Sequence, residues 1–305
     1  MSPARAPAGI ARGEAVAALG HRLGSAAEAR WLVDHVGGVA PGAAAVGAVL
    51  DEGQLAELAR LADRRASGEP LQYVLGSWPF RFVELGVDPR ALVPRPETER
   101  VVEVAMGELR RSRLRGGPDR PVVVDLGTGS GAIALSLAVE LAPTYPALAV
   151  WAVDDDPGAL ALASENRARV AEAQPGAGVA GRVRLVDGRW YDALPVDLRG
   201  RVDLVVANPP YVSAEEWTDL DPVVRHEPRH ALVAPAGSDG TPGLGCVEAV
   251  LVGAPRWLVP GGTVVVELAP HQAVPATSLA RRLGFRRVEV AIDLAGRERA
   301  VVARV

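Results

Sequence analysis

At 305 residues the chain has room for about two domains, and 49% apolar with 23% charged residues describes an ordinary globular protein with a sizeable core. All 33 basic residues are arginine against 37 acidic ones, and the net charge of −4 argues against a nucleic-acid binder with a broad basic face. One cysteine, Cys246, excludes a disulfide framework or thiolate metal cluster, and the lack of a signal-like or membrane-length apolar run sets a cytoplasmic location as the expectation.

Residues 1–75 are helical in pattern. Apolar positions recur three and four apart, as in Ala29, Leu32, Val33 and Val36 and again in Leu55, Leu58 and Leu61. Gly37-Gly38 and Pro41-Gly42 divide the run into short helices. A small helical domain over 1–75 that positions a substrate or holds a partner is expected. Residues 76–98 change character. Trp78-Pro79-Phe80 and the β-rich stretch through Val87 predict a β-hairpin linker to the larger domain, 99–305. In Val93-Pro94-Arg95-Pro96-Glu97-Thr98-Glu99-Arg100 the prolines hold the approach extended. Glu97 or Thr98 is expected to cap the helix that follows, and the sequence assigns Arg95, Glu97 and Thr98 no further role.

From residue 120 strands and helices alternate. Strands are predicted at Val122–Asp125, Ala149–Asp154, Val183–Val186, Leu204–Ala207, Thr263–Glu267, Arg287–Ile292 and Arg299–Val305. Helices are predicted from Ala132, from Gly158, over Val247–Ala254 and over Ala276–Leu283. This is the pattern of an α/β fold with a doubly wound, seven-stranded sheet. The link from Asp293 through Gly296 to Glu298 is too short for a parallel crossover, so the last two strands form an antiparallel pair.

Three strand ends carry the chemistry. Asp125-Leu126-Gly127-Thr128-Gly129-Ser130-Gly131-Ala132 is a strand running through a glycine-rich turn into a helix. Its backbone can approach a ligand closely, and Gly127-x-Gly129-x-x-Ala132 also fits a relaxed dinucleotide fingerprint. Asp125 would sit badly beside a pyrophosphate and suits the ammonium of a methionine moiety. Asp154 ends the next strand 23 residues after Gly131, where a carboxylate accepts the hydroxyls of an adenosine ribose. Asp155 or Asp156 then caps the helix that begins near Pro157. In Asp187-Gly188-Arg189-Trp190-Tyr191 the tryptophan can cover an adenine face, with Asp187 accepting from its exocyclic amine, or can be a core residue. Asn208-Pro209-Pro210-Tyr211 stops a buried strand abruptly, and the prolines fix its direction. The Asn208 side-chain oxygen beside the Pro209 carbonyl gives two acceptors for one planar –NH2 group, with Tyr211 over its flat face. His226, His230 and His271 are irregularly spaced and lack a thiolate, so no metal site is expected.

Together these pieces resemble the class I S-adenosylmethionine-dependent methyltransferases, and more closely the release-factor glutamine N5-methyltransferases. The resemblance rests on Pro70-Leu71-Gln72-Tyr73-Val74-Leu75-Gly76, Val93 to Glu99, Asp125 to Gly131, Ala152-Val153-Asp154, Asn208 to Tyr211 and Glu227-Pro228-Arg229. Glu28-Ala29-Arg30-Trp31-Leu32 is similar to that family's helical domain. The resemblance implies cofactor contacts from Gly127, Thr128, Gly129, Ser130, Gly131, Asp154, Trp190 and Asn208. It also implies a substrate glutamine held by Asn208, Pro209, Pro210 and Tyr211, with Asn208, Pro209 and Tyr211 nearest the chemistry. The implied substrate is the glutamine of the GGQ loop in peptide chain release factors, acted on by a monomer without stable nucleic-acid or membrane binding. Two stretches depart from the family pattern: the glycine-rich Asp239–Gly245, and Ala269-Pro270 before His271-Gln272. The same acceptor pair also suits the exocyclic amine of adenine or guanine in RNA or DNA. The glycine turn and Asp154 also fit a nicotinamide-dependent oxidoreductase.

Overall fold

The computed structural model describes residues 9–39, 49–114, 116–117 and 119–305. The Pro41-Gly42 break and the first eight residues lie outside them. The described residues divide into two units, one running to Gly76 with Pro222–His226, the other made of Ser77–Asp221 and Glu227–Val305.

In the first unit a short pair, β1 (Ile10–Ala11), is followed by α1 (Arg12–Leu23) and α2 (Ala26–Val36), then β2 (Val49–Leu50), α3 (Glu52–Ala66) and α4 (Leu71–Leu75). β1 and β2 run antiparallel. Capping sets the helix starts. The Ser25 hydroxyl accepts from the Glu28 amide at 3.2 Å, and Asp51 with Gln54 forms a reciprocal box at 2.8 and 2.9 Å. Ala29, Leu32, Val33, Leu58 and Leu61 are buried as their spacing predicts, while Val36 and Leu55 are half-buried. The Arg65 guanidinium holds Glu28 at 2.7 Å and ties α3 to α2.

The second unit opens with the hairpin β3 (Ser77–Phe80) and β4 (Val83–Gly86), which pair antiparallel. Phe80, Val83 and Leu85 are buried in this unit's own core. Helix α5 (Pro96–Leu114) starts at Pro96, because proline suits a first helical position where no amide donor is needed. Glu97 and Thr98 therefore fall inside the first turn, and Thr98 does not cap: its hydroxyl donates to Glu267 instead. Then come β5 (Val122–Leu126), α6 (Ala132–Leu141), β6 (Ala149–Asp154), α7 (Pro157–Ala173), α8 (Val179–Arg182), β7 (Val183–Asp187), β8 (Val202–Ala207) and α9 (Glu216–Asp219). α10 (Gly245–Gly253), β9 (Leu258–Glu267), α11 (Ala273–Arg282), β10 (Arg287–Ile292) and β11 (Glu298–Arg304) complete it.

The seven strands lie in the order β10-β11-β9-β8-β5-β6-β7. β5 to β9 are parallel, and β11 is antiparallel to both of its neighbours. Helices α5, α6 and α7 pack one face through Val102, Met106, Leu137, Leu141 and Val170. Helices α10 and α11 pack the other through Val250, Leu251, Ala276 and Ala280. The register is what builds the site. Leu126 pairs with both Val153 and Ala207, and Ala207 pairs with Val266. The next residue on each strand, Gly127, Asp154, Asn208 and Glu267, therefore emerges side by side at the carboxyl edge where the strand order reverses.

Candidate functional site

At the end of β5, Gly127, Gly129 and Gly131 have φ of 73°, 55° and 84°, a left-handed region that glycine enters without a Cβ penalty. The Gly127 and Thr128 amides both donate to the Val153 carbonyl at 2.9 Å, and the Gly129 amide donates to Asp154 Oδ2 at 2.8 Å. The turn is thereby stitched to the end of β6. Asp154 Oδ1 accepts from the Asp156 amide at 3.0 Å. Each carboxylate oxygen keeps a second lone pair for a ligand hydroxyl. Burial pushes this carboxyl up from its ordinary range, and the two backbone amides oppose that. Asp156, not Asp155, caps α7, accepting from the Ala159 amide at 2.9 Å.

Asp125 has a different place from the one its strand-end position suggested. It is fully buried and does not border the cavity. Its Oδ2 accepts from the Thr128 hydroxyl at 2.7 Å and the Ala134 amide at 3.1 Å, so it braces the turn against the start of α6. Burial pushes its carboxyl up to about 7.

A cavity of about 350 Å³ opens over this edge. Gly127, Thr128, Gly129, Ser130, Asp154, Trp190, Asn208 and Pro210 border it, together with the segment from Arg90 to Arg95, Thr98, and His230, Ala231 and Val233. Trp190, half-buried and held at φ 48°, stands with its ring edge 3.6 Å from where a Cβ of Gly127 would lie. Gly131 opens α6, Pro209 is buried and Tyr211 is half-buried; none of the three borders the cavity, and neither does the exposed Asp187.

The corner after β8 is held from behind by side chains from three other elements. Asn208 Nδ2 donates to the Thr98 hydroxyl at 3.1 Å, and that hydroxyl donates to Glu267 Oε2 at 2.8 Å. The Tyr211 hydroxyl reaches Glu267 Oε1 at 3.3 Å. Burial pushes the Glu267 carboxyl up to about 7, offset by Thr98 and Arg299, and burial also raises the Tyr211 hydroxyl. Gln272, fully buried, donates to the Tyr211 and Pro242 carbonyls at 2.9 Å each, joining the corner to the glycine-rich segment. Glu227 explains a motif that the sequence left without a role. It accepts from the Val93 amide at 2.9 Å and the Arg95 guanidinium at 2.5 Å, so Glu227 holds in place the Val93-Pro94-Arg95 stretch that borders the cavity.

Glu267 and Gln272 carried no functional reading in the sequence. The signal for Glu267 was a lone carboxylate closing the apolar run Val264-Val265-Val266 at a strand's carboxyl end, the edge where such sheets hold ligands. Gln272 ends the short 3-10 turn Pro270–Gln272 that leads into α11, where nothing local points to its distant partners.

Residues 113–226 match the family described as Methyltransferase small domain, and residues 11–76 match the PrmC N-terminal domain. The sheet order, the glycine turn and these matches define a methyltransferase. Over 240 residues the chain is 40% identical to the release factor glutamine methyltransferase of Bordetella pertussis, covering 79% of each chain. It is also 40% identical over 243 residues to that of Deinococcus radiodurans, covering 79% of this chain and 77% of the other. For the Burkholderia pseudomallei enzyme the figures are 36% over 256 residues, 84% and 83%. The chain belongs to the release factor glutamine methyltransferase family, which separates methyl transfer from the nicotinamide reading of the glycine turn.

Proposed function

We propose that this protein transfers a methyl group from S-adenosylmethionine to the side-chain amide nitrogen, N5, of the glutamine in the GGQ motif of peptide chain release factors. The observation that carries the reading is the placement of Asn208. It borders the cavity beside the glycine turn, with Nδ2 held by Thr98, so Oδ1 is the atom left to accept a substrate N–H. Membership of the family supports the substrate.

The cavity residues fit the cofactor. Gly127 and Gly129 keep the floor free of side chains, Asp154 has lone pairs for two ribose hydroxyls, and the Trp190 ring offers a flat apolar face for a base. When bound, that cofactor supplies an electrophilic methyl carbon on a sulfonium.

An amide nitrogen is a weak nucleophile because its lone pair is delocalised into the carbonyl, and no ordinary side chain is basic enough to deprotonate it. Asn208 Oδ1, at the cavity border, accepts one of its N–H groups and turns the nitrogen toward the reacting carbon. Such alignment is worth up to ~7–11 kcal/mol in favourable intramolecular reactions. The same acceptor meets the positive charge that grows on nitrogen as the new bond forms. One N–H proton then leaves to water. No covalent intermediate with the protein is required.

Incubation of the enzyme with methyl-labelled S-adenosylmethionine and purified release factor tests the reading. Label is expected on the GGQ glutamine, and loss of most of it in Asn208→Ala. Label found only in RNA or DNA offered alongside would replace the glutamine with a nucleobase amine as the substrate.

A further inference from the structure

Glu267 lies at the centre of a buried hydrogen-bond chain that ends on Asn208. Its Oε2 takes the Thr98 hydroxyl proton at 2.8 Å and its Oε1 takes the Tyr211 hydroxyl at 3.3 Å. Glu267 is fully buried and Thr98 nearly so. An ionised carboxylate is acceptor-only, and a threonine hydroxyl has one proton. With that proton committed to Glu267, Thr98 faces Asn208 with lone pairs alone. The Asn208 carboxamide can then satisfy Thr98 in one way round only, by presenting –NH2, which sends Oδ1 the other way.

We propose that Glu267 and Thr98 are positioning residues that lock the carboxamide of Asn208 with its oxygen toward the substrate amide, and so select an –NH2 group as the nucleophile. This inference rests on the glutamine-methylating reading above and adds the device that sets its polarity. Reversing the carboxamide would put a donor against the substrate's own donors, and the site would repel the group it has to hold. Tyr211 shares the same anchor, so one carboxylate fixes both the acceptor and the ring that follows it in the corner.

The groups facing Glu267 are Thr98 and Glu97 from α5, Tyr211 from the corner and Arg299 from β11. Among the described residues Arg299 gives its Nη2 to Asp293 at 3.2 Å and leaves Nε without a hydrogen-bond partner. Protonating Glu267 turns it into a donor toward Thr98, frees the Thr98 proton for Asn208, and permits the reversed carboxamide.

Thr98→Val keeps the shape and removes the hydroxyl, and Thr98→Ser restores the hydroxyl. Both are assayed with release factor as substrate. Thr98→Val is expected to lower kcat on the order of 10- to 100-fold, the scale on which a small misplacement of a reacting group is felt, with S-adenosylmethionine affinity near that of the parent and a melting temperature lowered by the lost hydrogen bond to buried Glu267. Thr98→Ser is expected to recover most of the rate. In the parent kcat rises with pH through about 7 as Glu267 ionises, and in Thr98→Val that rise is absent. Equal kcat in Thr98→Val and parent, or equal losses in Thr98→Val and Thr98→Ser, overturns the inference. A parent enzyme that binds the cofactor but never labels release factor instead overturns the reading beneath it.

Discussion

Gly243 sits against the backbone of Tyr211: a Cβ on Gly243 would lie 2.2 Å from the Tyr211 carbonyl oxygen. Gly243 also has φ of 68°, which disfavours any residue with a side chain. The glycine-rich Asp239–Gly245 segment, an unexplained departure in the sequence, thus supplies the flat surface on which the Asn208–Tyr211 corner rests. Gly243→Ala is expected to cost about 1–3 kcal/mol of stability from the backbone strain. It should also lower single-turnover methylation by roughly 10-fold or more, since small misplacements of a positioning group are costly. Cofactor affinity, measured by calorimetry, should change little. Loss of cofactor binding in step with activity would argue that the segment supports the whole cavity and not this corner.

Asp154 offers a separate handle on the cofactor half of the site. Asp154→Ala removes the carboxylate proposed to accept the ribose hydroxyls and leaves the Gly129 amide without its 2.8 Å partner. Hydrogen bonds to a charged group are worth about 1.5–3 kcal/mol each, so calorimetry should show affinity falling on the order of 10-fold or more. Unchanged affinity would sink the ribose assignment.

The buried carboxyl of Asp125 makes stability depend on pH in an unusual direction. Folded, it holds its proton up to about 7, against an ordinary value of 3.8. Between those two values the native chain binds more protons than the unfolded chain. The Asp125 contribution is therefore fully present below the lower value, lost as pH rises through about 7, and constant above it. Urea unfolding of the parent and Asp125→Asn from pH 4.5 to 8 should show the parent losing ground to the variant across that window. A constant gap at every pH would contradict the assignment.

Glu108 of α5 and Arg304 of β11 form a buried two-pronged pair, with Nη2 to Oε1 at 2.7 Å and Nε to Oε2. Both side chains are almost wholly enclosed. Glu108→Ala strands a buried guanidinium, apart from its 3.2 Å contact with Glu289, and is expected to cost about 3–5 kcal/mol. Adding Arg304→Met should recover most of that in denaturant melts, because the penalty belongs to the uncompensated charge. A double variant as weak as the single one would mean that packing is the larger effect.

The seven strands and their alternation with helices were legible because each strand is an apolar run closed by turn residues. The antiparallel end followed from a link too short to cross over. What escaped were contacts between residues far apart in the chain. Thr98 looks like a helix cap from its neighbours, yet Pro96 starts the helix and Thr98 bonds Glu267, 169 positions away. Asp125 and Asp154 both sit at strand ends, and spacing alone does not tell the carboxyl that borders the cavity from the one turned into its own loop. The Asn208–Tyr211 corner was visible for the opposite reason: two prolines restrict its geometry locally, whatever the rest of the chain does.

The slot that β11 occupies between β9 and β10 has a consequence for biogenesis. A strand held by partners on both sides comes after every other strand of the sheet in the chain, so until residues 298–304 leave the ribosome, β10 has no neighbour to join and β9 presents a bare edge. Until that strand docks, the end of the sheet that carries Glu267 lacks its closing pairing, and an open strand edge is a template on which another chain can pair.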